Sequence, residues 1–202
     1  MNLDALKFFA LSGGDWVIWG LLASSVVAVG VILERGLLLR RESEALDRLR
    51  AGLETPLAEG DRAGIGGALK AAEGAGARIL SRSLQTGARA AAEDRVTAAA
   101  LDERRFLEKR LLILGTLGSN APFVGLFGTV LGVIRAFHDL AEHSGAGPEI
   151  VMKGLSEALI ATAVGLFVAI PSVIAYNYLQ KQVKDLLSGV ESLSRLILAT
   201  GD

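Results

Sequence analysis

Charged residues disappear from this chain three times for long enough to cross a bilayer. The uncharged runs are 16–33, 111–134 and 158–180, and roughly 20 apolar residues suffice for a membrane-spanning helix. With their flanks they predict transmembrane helices at 16–36, 111–138 and 153–180. Residues 37–110 are too polar to span. Leu46, Leu49 and Leu53 form one helical stripe there, and 60–76 is Gly-rich and reads as a loose connection. Residues 88–110 regain a weak apolar face through Val96, Ala99, Ala100 and Leu107 and are expected to run on into the second span as one solvated helix. Leu3, Leu6, Phe9 and Ala10 at helical spacing predict a short amphipathic helix on the membrane surface within 1–15, and 181–202 reads as a helix continuing the third span. The fold class is therefore all-α: an integral membrane protein with three transmembrane helices and long cytoplasmic helical extensions.

Basic residues orient these elements. Arg35, Arg40 and Arg41 follow the first span, Arg104, Arg105, Lys109 and Arg110 precede the second, and Lys181 and Lys184 follow the third. The connection between the second and third spans has no Lys or Arg over 136–152 and carries Asp139, Glu142, His143 and Glu149. The positive-inside rule puts 37–110 and 181–202 in the cytoplasm, and 1–15 and the loop at 139–152 outside.

Composition narrows the function classes. Of 202 residues, 51% are hydrophobic and the net charge is −1, which argues against a nucleic-acid partner. There is no cysteine, hence no disulfide framework and no thiolate chemistry. Residues 1–15 carry one Lys and two Asp and do not resemble the basic start of a cleaved secretory signal. His138 and His143 are five apart, off a common helix face, and are expected to be solvated loop residues rather than a metal pair. No cofactor, metal site or catalytic constellation is read, so an enzyme is not expected.

The second and third spans are unusual as lipid anchors. Gly128 and Gly132, like Ala121 and Gly125, are small residues four apart, and Ala161, Gly165 and Ala169 make a second smooth stripe. Such stripes let membrane helices approach closely. Pro122 and Pro171 lack an N–H and predict helix kinks, the first near Gly118. Thr116, Ser119, Asn120, Thr129 and Thr162 add hydrogen-bonding groups inside apolar segments, and Glu157 stands at the near end of the third span. A single hydroxyl of this kind usually bonds back to its own helix or joins two helices. So many on two spans favour a bundle around a polar path, and an ionisable group such as Glu157 at a membrane edge points to function. Glu157 and Thr162 are five positions apart, about 140° around a helix, so they do not share one stripe.

The segments Asn120-Ala-Pro-Phe-Val-Gly-Leu-Phe-Gly-Thr-Val-Leu-Gly-Val and Gly154-Leu-Ser-Glu-Ala-Leu-Ile-Ala-Thr-Ala-Val-Gly-Leu-Phe-Val-Ala-Ile-Pro-Ser-Val-Ile-Ala-Tyr-Asn177 resemble the MotA/TolQ/ExbB proton-channel family. Three spans in 202 residues are similar to the TolQ/ExbB branch. The resemblance implies a homo-oligomeric, pentameric ring in the bacterial inner membrane, with 1–15 and 139–152 on the periplasmic side. It implies a pore that encloses the transmembrane helices of an ExbD/TolR-like single-span protein whose intramembrane Asp carries the proton. Thr129 and Thr162 fall on the family's pore-facing threonines and Glu157 on its membrane-edge carboxylate. A TonB/TolA-like or other envelope effector would receive the work, whether import, envelope integrity or motility. The residues agree with this division of labour, because the spans hold no Asp, His or Lys at mid-depth that could carry a proton unaided. The competing reading is a non-conducting membrane scaffold held together by small-residue helix packing.

Overall fold

The computed structural model describes residues 14–83, 89–142 and 149–200, and every element among them is helical. In chain order these are α1 (Asp15–Glu59), α2 (Arg62–Ala71), α3 (Ala75–Ser83), α4 (Arg89–Leu107), α5 (Leu111–Glu142) and α6 (Glu149–Ala199). Helices α1, α5 and α6 are each long and apolar enough to cross a membrane. The N-terminal segment expected to be amphipathic lies outside the described residues, apart from Gly14 and Asp15, the latter opening α1. Both ends of the expected loop at 139–152 are helical: α5 runs to Glu142 and α6 starts at Glu149, and His138 is a helical residue beside Glu142 at 3.3 Å. His143 lies outside the described residues. Pro122 and Pro171 sit inside α5 and α6 without ending either.

The helices divide into two compact units. The described parts of Met1–Ile32 and Leu112–Tyr176 form the membrane unit, and those of Leu33–Leu111 and Asn177–Asp202 form the polar unit. In the membrane unit Val17 and Leu21 of α1 join Ala121 and Leu131 of α5 and Val168 and Ala169 of α6 in one buried cluster. Its outer surface is apolar, with Trp19, Val26, Phe123 and Phe167 each about 70% exposed. Exposed apolar surface of this extent suits lipid or further protein rather than water.

The polar unit has an ordinary water-excluding core. The expected stripe of Leu46, Leu49 and Leu53 is buried, as are Val96 and Leu107 of α4, and Leu179, Val183, Val190 and Leu193 line the matching face of α6. The Gly-rich connection departs from expectation, because most of it folds as α2 and the start of α3. Local chemistry explains how. Gly60 takes φ +70 after α1 and the Asp61 N–H returns to the Pro56 carbonyl at 2.9 Å, a left-handed helix stop. The Asp61 side chain then accepts from the Ala63 N–H at 3.0 Å and caps α2. Gly76 of α3 fits where a Cβ would lie 2.9 Å from Leu46 and 3.3 Å from Val190, so small residues here bring α3 against α1 and α6.

The helix expected to run unbroken from 88 into the second span is interrupted. Residues 108–110 are turn, and Arg110 is left-handed at φ 67. Tertiary contacts hold this break. Arg35 of α1 is 3% exposed and donates from Nη1 to the Phe106 carbonyl at 3.3 Å, which also accepts from the Lys109 N–H at the end of α4, while Arg110 pairs with Glu34. Cations beside a helix C-terminus are also favoured by its dipole.

Candidate functional site

Close contact between α5 and α6 builds the site. A Cβ placed on Gly125 would lie 2.7 Å from the Ala161 carbonyl oxygen and 3.1 Å from the Cα atoms of Thr162 and Gly165. One on Gly165 would lie 2.6 Å from the Ala121 carbonyl oxygen, and one on Gly132 2.6 Å from the Ala158 Cβ. Gly128 meets Ala161 at 2.8 Å and Val17 of α1 at 3.1 Å by the same construction, while Gly118 abuts Val173. Contact positions rise along α5 as they fall along α6, so the two helices are antiparallel. The small residues read from the sequence therefore face one another within a single chain. Ala169 is buried in the same unit.

That proximity brings two hydroxyls together. Thr129 Oγ1 and Thr162 Oγ1 lie 2.5 Å apart, and Thr129 is also 3.2 Å from the carbonyls of Gly125 on its own helix and Ala158 on the other. A hydroxyl donates one hydrogen bond and accepts two. When Thr129 donates to a carbonyl, Thr162 can donate to Thr129, and the opposite direction requires both hydroxyls to turn. Both residues are half-buried. The pair can thus pass a hydrogen bond from α6 to α5, but neither hydroxyl can hold a net charge at ordinary pH.

Other polar groups behave more simply. Ser119 donates to the Gly115 carbonyl at 2.9 Å, and Asn120 donates to the Thr116 carbonyl at 2.9 Å. Both satisfy their own helix, as isolated polar residues in a membrane helix commonly do. Glu157 is not in contact with the threonine pair. Its carboxylate is 4.0 Å from the Lys153 ammonium and 61% exposed. It lines a cavity of about 320 Å³ together with Asp15, Arg135, Asp139, Lys153, Gly132, Ala158 and Ala161. Asp15, Arg135 and Lys153 were missing from the sequence reading of a site, because each follows or precedes a span and looks like an ordinary boundary charge. Only the convergence of α1, α5 and α6 places them around one cavity. No cluster of three metal-ligating side chains occurs among the described residues.

A profile of the MotA/TolQ/ExbB proton channel family matches residues 71–192. The chain belongs to this family. It is 48% identical over 87 residues to the biopolymer transport protein ExbB of Aquifex aeolicus, covering 43% of this chain and 59% of that protein. It is 50% identical over 97 residues to the biopolymer transport protein ExbB of Helicobacter pylori, covering 48% and 63% respectively. A 75-residue match to the Tol-Pal system protein TolQ of Pseudomonas aeruginosa is 55% identical and covers 37% of this chain and 32% of that protein. The chain thus spans less than two thirds of the length of the relatives it matches. Relatives of both names support the TolQ/ExbB branch. The matched segment includes α5, most of α6 and the threonine pair.

Proposed function

We propose that this chain is the ring subunit of a proton-motive-force-driven motor in the bacterial inner membrane, arranged as a homopentamer around the transmembrane helices of an ExbD/TolR-like protein. Thr129 and Thr162 line the proton path, and Glu157 stands at its edge. The N-terminus is periplasmic and the C-terminus cytoplasmic. The observation that supports this reading is the hydroxyl pair, a hydrogen bond between two helices in which either oxygen can be the donor. A relay without a titrating group needs a charge carrier from elsewhere. An intramembrane Asp on the partner supplies it, and this chain supplies the cage. Each charge crossing 100 mV releases about 2.3 kcal/mol, enough for a few protons to drive a conformational step. A ring of identical subunits around a partner dimer cannot satisfy both partner carboxylates equally, so alternate neutralisation favours rotation. The work passes to a TonB/TolA-like or other envelope effector.

The scaffold reading draws on the small-residue stripes, but α5 and α6 use those residues on one another inside one chain. The deciding experiment is the double variant Thr129→Val/Thr162→Val, which keeps shape and removes both hydroxyls. Energised activity should fall at least tenfold, by about 1.4 kcal/mol or more in the limiting step, at unchanged membrane abundance and partner co-purification. Full activity would leave the threonines as packing groups.

A further inference from the structure

The helix break at 108–110 collects positive charge at the membrane edge. Two spans end at its level: the uncharged run of α1 stops at Leu33, and that of α5 starts at Leu111. The two boundaries are tied together, because Arg35 reaches the Phe106 carbonyl and Glu34 pairs with Arg110. The turn therefore lies where hydrocarbon gives way to headgroups. The charges around it do not balance. Arg104 is matched by Glu108 at 2.7 Å, and Glu34 serves both Arg35 and Arg110. Glu103 is taken up by Arg78 of α3. Arg105 and Lys109 are exposed and enter no ion pair among the described residues. Between them Phe106 is 49% exposed, although its carbonyl is held from α1. The Glu108 N–H donates to the Arg104 carbonyl at 2.8 Å, and the Lys109 N–H to the Phe106 carbonyl at 3.3 Å. These bonds carry helical winding through Lys109, so Arg105, Phe106 and Lys109 belong to one firm turn.

We propose that Arg105, Phe106 and Lys109 form an interfacial anchor for anionic phospholipid, with the lipid phosphate on the two cations and the ring beside the upper acyl chain. The inference needs only that α1 and α5 cross the bilayer, and it stands apart from the motor reading. Charge selects this partner. Two cations without counter-ions attract a headgroup of net negative charge, and each basic residue at an anionic surface contributes about fivefold in affinity. Depth selects it too. A half-exposed ring among cations is ill placed in water and well placed at the boundary of headgroup and acyl chain. A soluble anion would use the cations and leave Phe106 bare. A protein covering this face would desolvate both cations unless it brought carboxylates of its own.

The test titrates the full chain, delipidated in mild detergent, with phosphatidylglycerol and separately with phosphatidylcholine. Native mass spectrometry reads the affinity of the tightest-bound lipid. Phosphatidylglycerol should bind the wild type more tightly. The double variant Arg105→Gln/Lys109→Gln should lose about tenfold or more of that affinity and leave phosphatidylcholine binding unchanged. The charge-keeping variant Arg105→Lys/Lys109→Arg should retain it, which separates charge from folding. Arg50→Gln/Lys70→Gln removes the same charge from elsewhere in the polar unit and should have no effect. Equal affinity of the wild type for the two lipids would overturn the anchor, because the turn would then be blind to headgroup charge. So would undiminished phosphatidylglycerol binding in the Arg105→Gln/Lys109→Gln variant. An equal loss in the Arg50→Gln/Lys70→Gln variant would trace the effect to net charge and overturn it as well.

Discussion

The membrane unit and the polar unit hold their helices together by opposite means. In the membrane unit α5 and α6 meet through Gly118, Gly125, Gly128, Gly132, Ala158, Ala161 and Gly165, and the bulky side chains Trp19, Phe123 and Phe167 face outward. In the polar unit the bulky side chains Leu53, Ile79, Leu80, Leu107 and Val190 face inward at no exposure, and charges cover the outside. The difference follows from the solvent. In water, burying a large apolar side chain stabilises by roughly 1.5–3 kcal/mol. Lipid tails are as apolar as leucine, so that gain vanishes and close backbone contact with interhelical hydrogen bonds replaces it. One chain uses both rules because α1 and α6 each pass from one environment into the other.

The largest effect should come from hollowing the water-built core. Leu53→Ala removes a fully buried side chain and should cost about 2–5 kcal/mol. Protease cleavage within the polar unit, followed in detergent, should rise sharply. A Leu→Ala change at outward Leu166, 45% exposed, should leave that cleavage unchanged.

Next comes the opposite operation on the membrane unit, overfilling rather than hollowing. Gly125→Leu drives a side chain into the Ala161 carbonyl and the backbone of Gly165 and should cost about 3 kcal/mol. Thermal unfolding in mild detergent should show a lowered midpoint, with cross-linking between α5 and α6 at positions away from this contact as a distance monitor. Gly20→Leu, where nothing lies within 4 Å of an added Cβ, should be silent in the same assay.

A smaller effect separates the units by charge. Arg78 of α3 makes two 2.8 Å hydrogen bonds to Glu103 of α4, and Glu42 of α1 accepts from the Ala75 N–H at 2.6 Å. The Arg78 guanidinium holds the Glu103 carboxyl below its ordinary value, chiefly through these hydrogen bonds, against the opposing effect of burial. A depressed carboxylate stabilises the fold above its unfolded pKa. That contribution is lost as pH falls through the ordinary Glu range toward the lowered folded value. Arg78 is 40% exposed, so solvent screening limits the pair to about 1 kcal/mol. Glu103→Gln should therefore weaken the polar unit at neutral pH and flatten its loss of stability in acid, measured by chemical unfolding across pH.

The smallest change should be Ser119→Ala. Its hydroxyl serves only carbonyls of its own helix and a neighbouring Asn120, so stability should move by about 0.5 kcal/mol or less. Set beside the large functional loss expected of the double variant Thr129→Val/Thr162→Val, this contrast distinguishes a self-satisfied hydroxyl from a pair shared between helices.

What the sequence determined by itself was whatever solvent and periodicity impose locally. Three uncharged runs are long enough for membrane helices and are helical, and the Leu46, Leu49, Leu53 stripe is buried because its spacing leaves one apolar face. The two motifs on 120–133 and 154–177 were also legible, and with them the family. Tertiary structure decided the rest. Nothing in Leu107-Glu-Lys-Arg-Leu111 discourages a helix, yet it breaks, because Arg35 and Glu34 hold the two ends from another helix. The Gly-rich stretch at 60–76 has poor helix propensity and still folds as helix where Asp61 caps it and Gly76 lets α3 approach Leu46. Residues 129 and 162 become a pair only through antiparallel contact at Gly125 and Gly165, and boundary charges become a cavity lining only where three spans converge. Local pattern reads one chain segment against its solvent, whereas a site is a relation between segments far apart in sequence, and only packing sets that relation.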